Sequence, residues 1–378
     1  MSDTGLAARV AGAVGTIDAA AWNALAGDNP FTRHEFLTAL EDSGSVGPGT
    51  GWQPVPLVIS SEDGPPLAAM PAYAKGHSQG EYVFDHAFAD AYERAGGSYY
   101  PKLQIAVPFT PATGPRLLLS DPALAAPLLS AAEQLCLQND FSSAHATFIE
   151  PDQQSFFEDA GWLLRSDIQF HWLNHDFESF DDFLATLTSR KRKDLRKERA
   201  AAQQGLEIVH LSGDEIRPEH WDAFWEFYQD TGLRKWGHPY LTREAFDLMG
   251  ERMGESIVLI LALDAGEPIA GALNFIGGDV LYGRYWGCTR QVRFLHFELC
   301  YYQAIDVAIE RGLSRVEAGA QGGHKLARGY EPVETVSAHW FADPGFRAAV
   351  AEFLEREREG VAADRNYLER RTPFRKVD

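Results

Sequence analysis

Residues 57–69 read LVISSEDGPPLAA, and residues 259–271 read LILALDAGEPIAG. The two segments align without gaps at an offset of 202 residues. Each reads as an apolar strand, a turn containing glycine and proline, and a second strand of small and apolar residues, which is the pattern of a β-hairpin. Two copies so far apart predict two domains built on one plan, with a cleft between them for small-molecule chemistry.

Length and cysteine usage bound the class of protein. The chain has 378 residues, which fits two domains of about 150–200 residues each. Its three cysteines, Cys136, Cys288 and Cys300, lie too far apart for a disulfide framework or a zinc site, so we expect no metal and a reduced, cytoplasmic setting. The absence of a long apolar run predicts no transmembrane segment, and the first residues lack the pattern of a secretory signal.

The charge is strongly negative overall and positive in one place. The formal net charge is −20, which disfavours nucleic acid as a general partner. Residues 190–199, however, read RKRKDLRKER, with seven basic and two acidic residues. On a helix these bases form two adjacent stripes, so we predict a polyanion-binding helix that could contact tRNA, anionic lipid or a lipid-linked phosphate. The alternative is a solvated helix face. The predicted polyanion-binding residues are Arg190, Arg192, Lys193, Arg196 and Lys197.

The order of predicted elements indicates the fold class. The second half reads as the helix 189–204, the strand 206–211, two helices, the hairpin 257–276, the strand 280–288, the long helix 297–311, the strand 314–318 and the strand 335–341. This is the element order of the GNAT acyltransferase fold, and the first half repeats it in shorter form. We therefore predict an α/β protein with mixed sheets, made of two tandem GNAT-like domains at 1–165 and 166–345, with a C-terminal helix and tail at 346–378.

Several motifs carry a family resemblance. In the first half they are YAKGHSQGEYVFD at 73–85, YYPKL at 99–103, AVPFTP at 106–111 and TGPR at 113–116. In the second half they are LYGRYWG at 281–287, HFE at 296–298 and EAGAQGGHK at 317–325. Together they resemble the FemAB-like predicted N-acyltransferases, also called peptidoglycan biosynthesis/recognition proteins, over nearly the whole chain. That family often has glutamate where this chain has Gly323.

The resemblance implies acyl transfer onto nitrogen by two GNAT-like domains. The better-studied Fem relatives transfer an amino acid from aminoacyl-tRNA to an amine of a peptidoglycan precursor. By resemblance we expect aminoacyl-tRNA as co-substrate, a peptidoglycan precursor or another small amine as acceptor, and no cofactor. Two alternatives stay open, a coenzyme A-dependent N-acyltransferase and a non-catalytic module that binds cell-wall peptide or tRNA.

The loop before the long helix bears on the choice of donor. An ordinary GNAT enzyme cradles the coenzyme A pyrophosphate with a glycine-rich loop at this place, because backbone N–H groups must approach the phosphates closely. Residues 289–297 read TRQVRFLHF and contain no glycine. Bulky Phe294 and Phe297 argue against ordinary coenzyme A binding, although Arg290 and Arg293 could still meet a phosphate.

Three residues are candidates for the chemistry, which needs an unprotonated amine, a polarised carbonyl and a proton for the leaving group. Glu298, at the start of the long helix, is predicted to orient or deprotonate the amine, unless it only caps the helix. His296 is the candidate proton carrier because its reference pKa lies near neutrality. Lys325 projects from the glycine-rich turn 319–325, where it could bind the donor or stabilise an oxyanion, unless it is a surface lysine.

Substrate contacts are predicted in both halves. Arg284 lies on a central strand, where a guanidinium needs an anionic partner, either a substrate or Glu317. In the first half, dense polar groups alternate with aromatic ones, as in loops that line pockets for polar acceptors, and the resemblance favours this over an ordinary surface loop. The predicted substrate-binding residues are Lys75, His77, Glu81, Tyr100, Lys102, Arg284, Tyr285 and His324.

Overall fold

The computed structural model of the chain describes residues 5–62, 64–235, 239–320 and 322–375. Its strands are β1 (Leu6–Val10), β2 (Trp52–Pro54), β3 (Leu57–Ser61), β4 (Ala68–Met70), β5 (Ala72–Lys75), β6 (Lys102–Ile105), β7 (Leu118–Leu119), β8 (Ser143–Ile149), β9 (Leu163–Leu173), β10 (Glu207–Leu211), β11 (Ile257–Asp264), β12 (Glu267–Gly277), β13 (Val280–Cys288), β14 (Arg315–Glu317) and β15 (Glu331–Phe341). Its α-helices are α1 (Ala19–Ala26), α2 (His34–Asp42), α3 (His86–Arg94), α4 (Ala125–Gln138), α5 (Gln154–Asp159), α6 (Phe180–Thr186), α7 (Ser189–Gln203), α8 (Pro218–Lys235), α9 (Arg243–Met253), α10 (Leu295–Phe297), α11 (Gln303–Glu310) and α12 (Pro344–Glu369). None of the helices in these ranges is long and apolar enough to cross a membrane.

The chain folds into two compact units. Unit 1 comprises Met1–Asp167 and Glu334–Ala362, and unit 2 comprises Ile168–Val333 and Ala363–Asp378. This division differs from the predicted second domain at 166–345 and the separate tail at 346–378, because the chain returns to unit 1 after residue 333. Strand pairing is the physical reason, since Val336–Phe341 of β15 pair antiparallel with β8 of unit 1.

Unit 1 contains the first predicted hairpin. Strands β3 and β4 pair antiparallel, with Val58 opposite Ala69, in a sheet of order β1-β3-β4-β7. A second run of strands has the order β8-β6-β5-β2, in which β6 and β8 are parallel through three residue pairs. The apolar face of α4 packs on these strands through Leu128 and Ala132, so the core of the unit lies between them.

Unit 2 contains the second hairpin. Strands β11 and β12 pair antiparallel, flanked by β10 on one side and β13 on the other. Strand β13 then pairs parallel with β14, and α10 and α11 lie between these two strands in the chain. The central apolar runs are buried on both faces, as expected of strands covered by helices. Both hairpins and the predicted mixed α/β class are thus confirmed, with one hairpin in each unit.

The predicted long helix 297–311 is not continuous. Helix α10 is followed by a π-helical turn, Glu298–Tyr302, and only then by α11. Phe294, which precedes α10, has a left-handed backbone with φ 66°. A π-turn inserts an extra residue and re-aims the side chains that it carries, and such turns are frequent at functional sites. Here its residues Cys300 and Tyr301 line a cavity.

Candidate functional site

The parallel strands β13 and β14 of unit 2 separate after a short ladder. They pair only through Val280–Tyr282 and Arg315–Glu317. Where the ladder ends, the pairing of β13 with β12 also shifts register, so that Arg284 is an extra residue between Gly283 and Tyr285. Such a bulge bends a strand and re-aims its side chains. The β13–β14 opening is therefore a break in the middle of a buried sheet.

Two cavities meet at this opening. A cavity of about 120 Å³, the inner cavity, is lined by Ala272, Leu273, Asn274, Gly283, Arg284, Tyr285, Trp286, His296, Cys300, Tyr301 and Ala318. A cleft of about 310 Å³, the outer cleft, is lined by Thr231, Trp286, Cys288, Arg290, Gln291, Val292, Leu295 and His296. Trp286 and His296 line both. Three sequence-predicted site residues, Arg284, Tyr285 and His296, are thus brought together at one place.

His296 is held by aromatic neighbours. Its ring meets the ring of Trp286 edge-on at 5.2 Å between centroids and that of Tyr301 at 5.4 Å. His296 is half-buried and lines both cavities. A role for His296 as proton carrier stays a prediction.

Lys325 and His324 lie beside the inner cavity without being among its lining residues. The Lys325 ammonium is buried and donates a hydrogen bond to the Gly319 carbonyl oxygen at 2.7 Å. Burial lowers the pKa of Lys325 to about 8. His324 is exposed, and its Nε2 lies 2.8 Å from the Tyr301 hydroxyl. A role for either residue in the chemistry stays a prediction.

Glu298 is not brought to either cavity. Its carboxylate is fully buried, and Oε1 accepts hydrogen bonds from Arg199 at 3.0 Å, Gln203 at 2.8 Å and Gln303 at 2.7 Å. These donors are side chains, so the carboxylate does not cap the helix either. The geometry gives Glu298 the task of holding α7 on the π-turn, which differs from the predicted task of a base. Two of the three donors, Arg199 and Gln203, come from α7, and the third, Gln303, comes from α11.

The predicted basic helix is α7, and residues on its buried side attach it to the rest of unit 2. Besides the Arg199–Glu298 pair, Glu198 accepts from Arg328 at 2.9 Å and from the Tyr302 hydroxyl at 2.5 Å. The outer side carries Arg190, Lys193, Arg196 and Lys197, which are exposed, and Arg192, which is half-buried. Arg196 also forms an exposed ion pair with Asp181, which contributes little. Polyanion binding by this stripe stays a prediction.

Unit 1 places three predicted acceptor contacts in its interior. Lys75 and Lys102 face each other across β5 and β6, and both side chains have no exposed surface. Glu81 and Asp85 neutralise them: Lys102 contacts Asp85 directly and Glu81 at 2.7 Å, and Lys75 lies 3.7 Å from Glu81. This ion cluster offers an acceptor no open face, which differs from the expectation that Lys75, Glu81 and Lys102 line a pocket for the acceptor.

The ion cluster perturbs its own members. Burial lowers the pKa of Lys75 to about 7, and the Lys75 ammonium lies 3.5 Å from the centre of the Trp52 ring. Burial likewise raises the pKa of Glu81 to about 7. Lys102, which has two carboxylates beside it, keeps a raised pKa despite its burial. These pKa shifts are typical of a structural ion cluster, in which Lys102 is the lysine that stays protonated.

His77 and Tyr100, the remaining predicted contacts in unit 1, are half-buried. His77 Nε2 lies 3.1 Å from the Thr50 carbonyl oxygen, and its Nδ1 accepts from the Gln79 N–H. The Tyr100 hydroxyl lies 2.8 Å from the Ser78 hydroxyl. These bonds fix both side chains in the local loop, and acceptor binding by them stays a prediction.

The sequence did not point to several residues of the inner cavity. Asn274 interrupts the apolar run 269–276, and a lone amide in a central strand is the signal that could have found it. Cys300 and Tyr301 reach the cavity only through the π-turn, for which the sequence holds no pattern. Among the described residues, no group of three or more histidine, cysteine, aspartate or glutamate side chains could hold a metal ion.

Comparison with known proteins places the chain in a family. The family model FemAB-like, described as peptidoglycan biosynthesis/recognition, matches residues 13–376. The chain therefore belongs to the FemAB-like family. The predictions of this family and of an enzyme of the acyltransferase class are confirmed. Among curated protein sequences, none matches the chain.

Solved structures resemble the chain in fold. FemX is 12% identical with a TM-score of 0.55, covering 89% of this chain and 98% of FemX. L-PGS from Bacillus licheniformis is 11% identical with a TM-score of 0.50, covering 87% of this chain and 98% of L-PGS. The C-terminal domain of a putative lysylphosphatidylglycerol synthetase from Agrobacterium fabrum is 11% identical with a TM-score of 0.51, covering 86% of this chain and 92% of that domain. At these identities the likeness concerns the fold.

Proposed function

We propose that the protein transfers an aminoacyl group from aminoacyl-tRNA to an amine of a peptidoglycan precursor or of a small molecule. The observation that carries this proposal is the β13–β14 opening, where His296 and Arg284 meet at a cavity in the sheet of an acyltransferase fold. The amine attacks the ester carbonyl, a C–N bond forms, and the C–O bond to the tRNA 3′ oxygen breaks. The proton lost by the amine passes to that oxygen, and His296 is placed to carry it.

Two features support tRNA as the carrier. The loop 289–297 has no glycine and enters α10 through the left-handed Phe294, so it lacks the usual form of a pyrophosphate cradle. Helix α7 carries an exposed stripe of Arg190, Lys193 and Lys197 on a chain of net charge −20. A local stripe of this kind suits a phosphodiester backbone, and its affinity would fall steeply with salt.

A coenzyme A thioester is the second candidate donor. The outer cleft favours it, because Arg290 and Gln291 line that cleft where a donor's phosphates would enter. Arg290 is, however, already paired with Asp264. An anion would therefore have to compete with a carboxylate for this guanidinium.

A donor screen decides between the two carriers. The purified chain is incubated with charged tRNA pools or with a panel of acyl-coenzyme A thioesters, and products are detected by mass. The acceptor panel contains peptidoglycan precursors, small amines and phosphatidylglycerol, the last because one structural neighbour is by its title a putative lysylphosphatidylglycerol synthetase. Amide products from charged tRNA alone support the proposal, and products from thioesters alone overturn it.

The role of α7 has its own test. Lys193→Glu with Arg196→Glu should weaken tRNA binding by at least about tenfold at 50 mM salt and flatten its salt dependence. Arg356→Glu with Arg365→Glu changes the net charge equally on exposed positions of α12 and serves as the control. Equal effects of the two pairs of substitutions would mean that tRNA binding responds to the net charge of the protein and not to α7.

The role of His296 is tested by its amide analogue. His296→Gln should lower kcat by about 10²-fold or more, because a proton carrier typically contributes this much, and should leave the melting temperature nearly unchanged. His175→Gln, at an exposed histidine of the same unit, is the matched control. Full activity of His296→Gln would remove the residue from the reaction.

A further inference from the structure

The inner cavity has a polar atom at its floor whose bonding capacity the fold leaves unused. Asn274 lines this cavity and is 1% exposed. Its Nδ2 donates to the Val258 carbonyl oxygen at 3.2 Å and to the Ala272 carbonyl oxygen at 3.3 Å. Its Oδ1 has no hydrogen-bond partner among the residues that the structure describes. A buried acceptor without a partner is costly, so it calls for an explanation.

The orientation of this amide is determined by its surroundings. The oxygen and nitrogen of an asparagine are normally distinguished only by their bonding partners. Both partners on one side of Asn274 are carbonyl oxygens, which accept and cannot donate. The NH₂ group must therefore face them, and the oxygen lies on the side of Gly283, which lines the cavity.

The space beside Oδ1 depends on a glycine. A Cβ atom at Gly283 would lie 3.3 Å from Asn274 Oδ1, and its next neighbours would be Ala318 Cα and the Glu317 carbonyl oxygen, both at 3.6 Å. Gly283 is the residue at which β13 leaves β14, and it also lines the cavity. The missing side chain thus keeps a methyl group away from the unused acceptor, at the point where the two strands separate.

The small and aliphatic part of the lining is formed by three residues, whereas the larger polar and aromatic side chains of Arg284, Tyr285, Trp286, His296 and Tyr301 form most of the remainder. Ala272, Leu273 and Ala318 surround the site, so they offer a ligand no competing hydrogen bond from their side chains. The cavity of about 120 Å³ corresponds to about four water molecules, or to an acyl group of about four or five heavy atoms. An N–H or O–H on such a group could satisfy Oδ1, whereas a methyl group of the same size could not.

We propose that Asn274 is a specificity-determining residue that selects small acyl groups bearing an amino or hydroxyl hydrogen-bond donor. This inference rests on the proposed function, because it places the acyl group of the donor in the inner cavity. It goes further by naming the atom that accepts a hydrogen bond from the acyl group, Oδ1 of Asn274. It also names Gly283 as the residue whose missing side chain lets the acyl group reach that atom. Purely aliphatic acyl groups are rejected because they bury Oδ1 without a bond.

The test compares acyl groups that differ in one position. tRNA is charged with alanyl, lactyl or propionyl groups, which carry an amino, a hydroxyl or a methyl substituent on nearly the same frame. A seryl group tests whether the donor can instead lie on the side chain. The wild-type protein should use alanyl and lactyl donors about 10- to 100-fold better than propionyl, in kcat/KM. Equal use of propionyl overturns the inference and leaves the proposed function standing.

Two variants test the assignment to this atom. Asn274→Leu keeps the volume and removes the acceptor, so the preference for alanyl over propionyl should fall to within about threefold. Because this change also removes two bonds of Nδ2, Gly283→Ala is the second variant: its methyl group would stand 3.3 Å from Oδ1, a tight contact that obstructs the approach to this atom. Gly345→Ala, which sets a methyl 3.3 Å from the Asp343 carboxylate, is the matched control. A preference that survives both Asn274→Leu and Gly283→Ala overturns the inference.

A binding readout separates failure of the inference from failure of the proposed function. Cys300 lines the same cavity and is half-buried, so a bound amide should slow its alkylation. If no acylated tRNA is used, alaninamide, lactamide and propionamide are compared for protection of Cys300, measured by peptide mass. Stronger protection by the first two, lost in Asn274→Leu, supports the inference alone. Equal protection by all three, or none by any, overturns it.

Discussion

Replacing Glu298 by glutamine tests whether its carboxylate stabilises the fold or takes part in the reaction. In the wild type, one buried oxygen of Glu298 accepts from Arg199, Gln203 and Gln303. The other oxygen has no partner among the described residues. In Glu298→Gln the amide oxygen can keep the three donors, but the bond to the Arg199 guanidinium loses its charge. A hydrogen bond to a charged group contributes about 1.5–3 kcal/mol and a neutral one about 0.5–1.5 kcal/mol.

The substitution also puts an amide NH₂ group in place of the second carboxylate oxygen, where no described residue accepts a hydrogen bond, and this costs about 1–3 kcal/mol. We therefore expect Glu298→Gln to lower the free energy of unfolding by about 2–4 kcal/mol, or the melting temperature by roughly 5–15 °C for a unit of this size. Calorimetry with parallel transfer assays measures both effects. Asp306→Asn is the control, since Asp306 contacts the same Arg199 but is 30% exposed and should cost less than about 1 kcal/mol. An unchanged melting temperature with transfer abolished would refute this reasoning and return Glu298 to the chemistry.

Two further perturbations concern buried lysines. Lys102→Met leaves Asp85 and Glu81 without their closest cation and should lower the free energy of unfolding in urea by about 3–5 kcal/mol. Lys75→Met should lower it by only about 1–2 kcal/mol, because burial already lowers the pKa of Lys75 to about 7. Equal costs of the two substitutions would contradict this ranking. The pKa of Lys325 is lowered to about 8, so the unfolded chain holds this proton more tightly, and the free energy of unfolding should rise with pH from about 8 to 10.5. Lys325→Met should remove up to about 3 kcal/mol of that rise, and parallel pH profiles of the two proteins would argue against a buried ammonium.

Local patterns predicted the fold well. The hairpin signal at 57–69 and 259–271, and the run of bases at 190–199, each depend on residues that are close in sequence, and the elements formed there as expected. The division into units was harder to predict, because the assignment of β15 depends on its pairing with β8, almost 200 residues earlier. Pairing at that distance leaves no trace in local periodicity.

The site was only partly predictable for the same reason. Arg284, Tyr285 and His296 could be placed because their elements were recognised, and they do meet at one cavity. Lys75 and Lys102 are predicted to bind an acceptor, since the sequence does not reveal that they stand opposite each other in a sheet interior. Asn274 and Cys300 depend on a register shift and on a π-turn, both of which arise from packing between elements.

The ion cluster inside unit 1 constrains how this chain can change over time. Losing Lys102 or Asp85 leaves an opposite charge in the buried interior without its closest partner. A lineage could abandon the arrangement only by replacing a lysine and a carboxylate nearly together, or by first passing through a weakened protein. Engineers who recombine segments of related chains should accordingly keep β5, β6 and the loop between them from one parent.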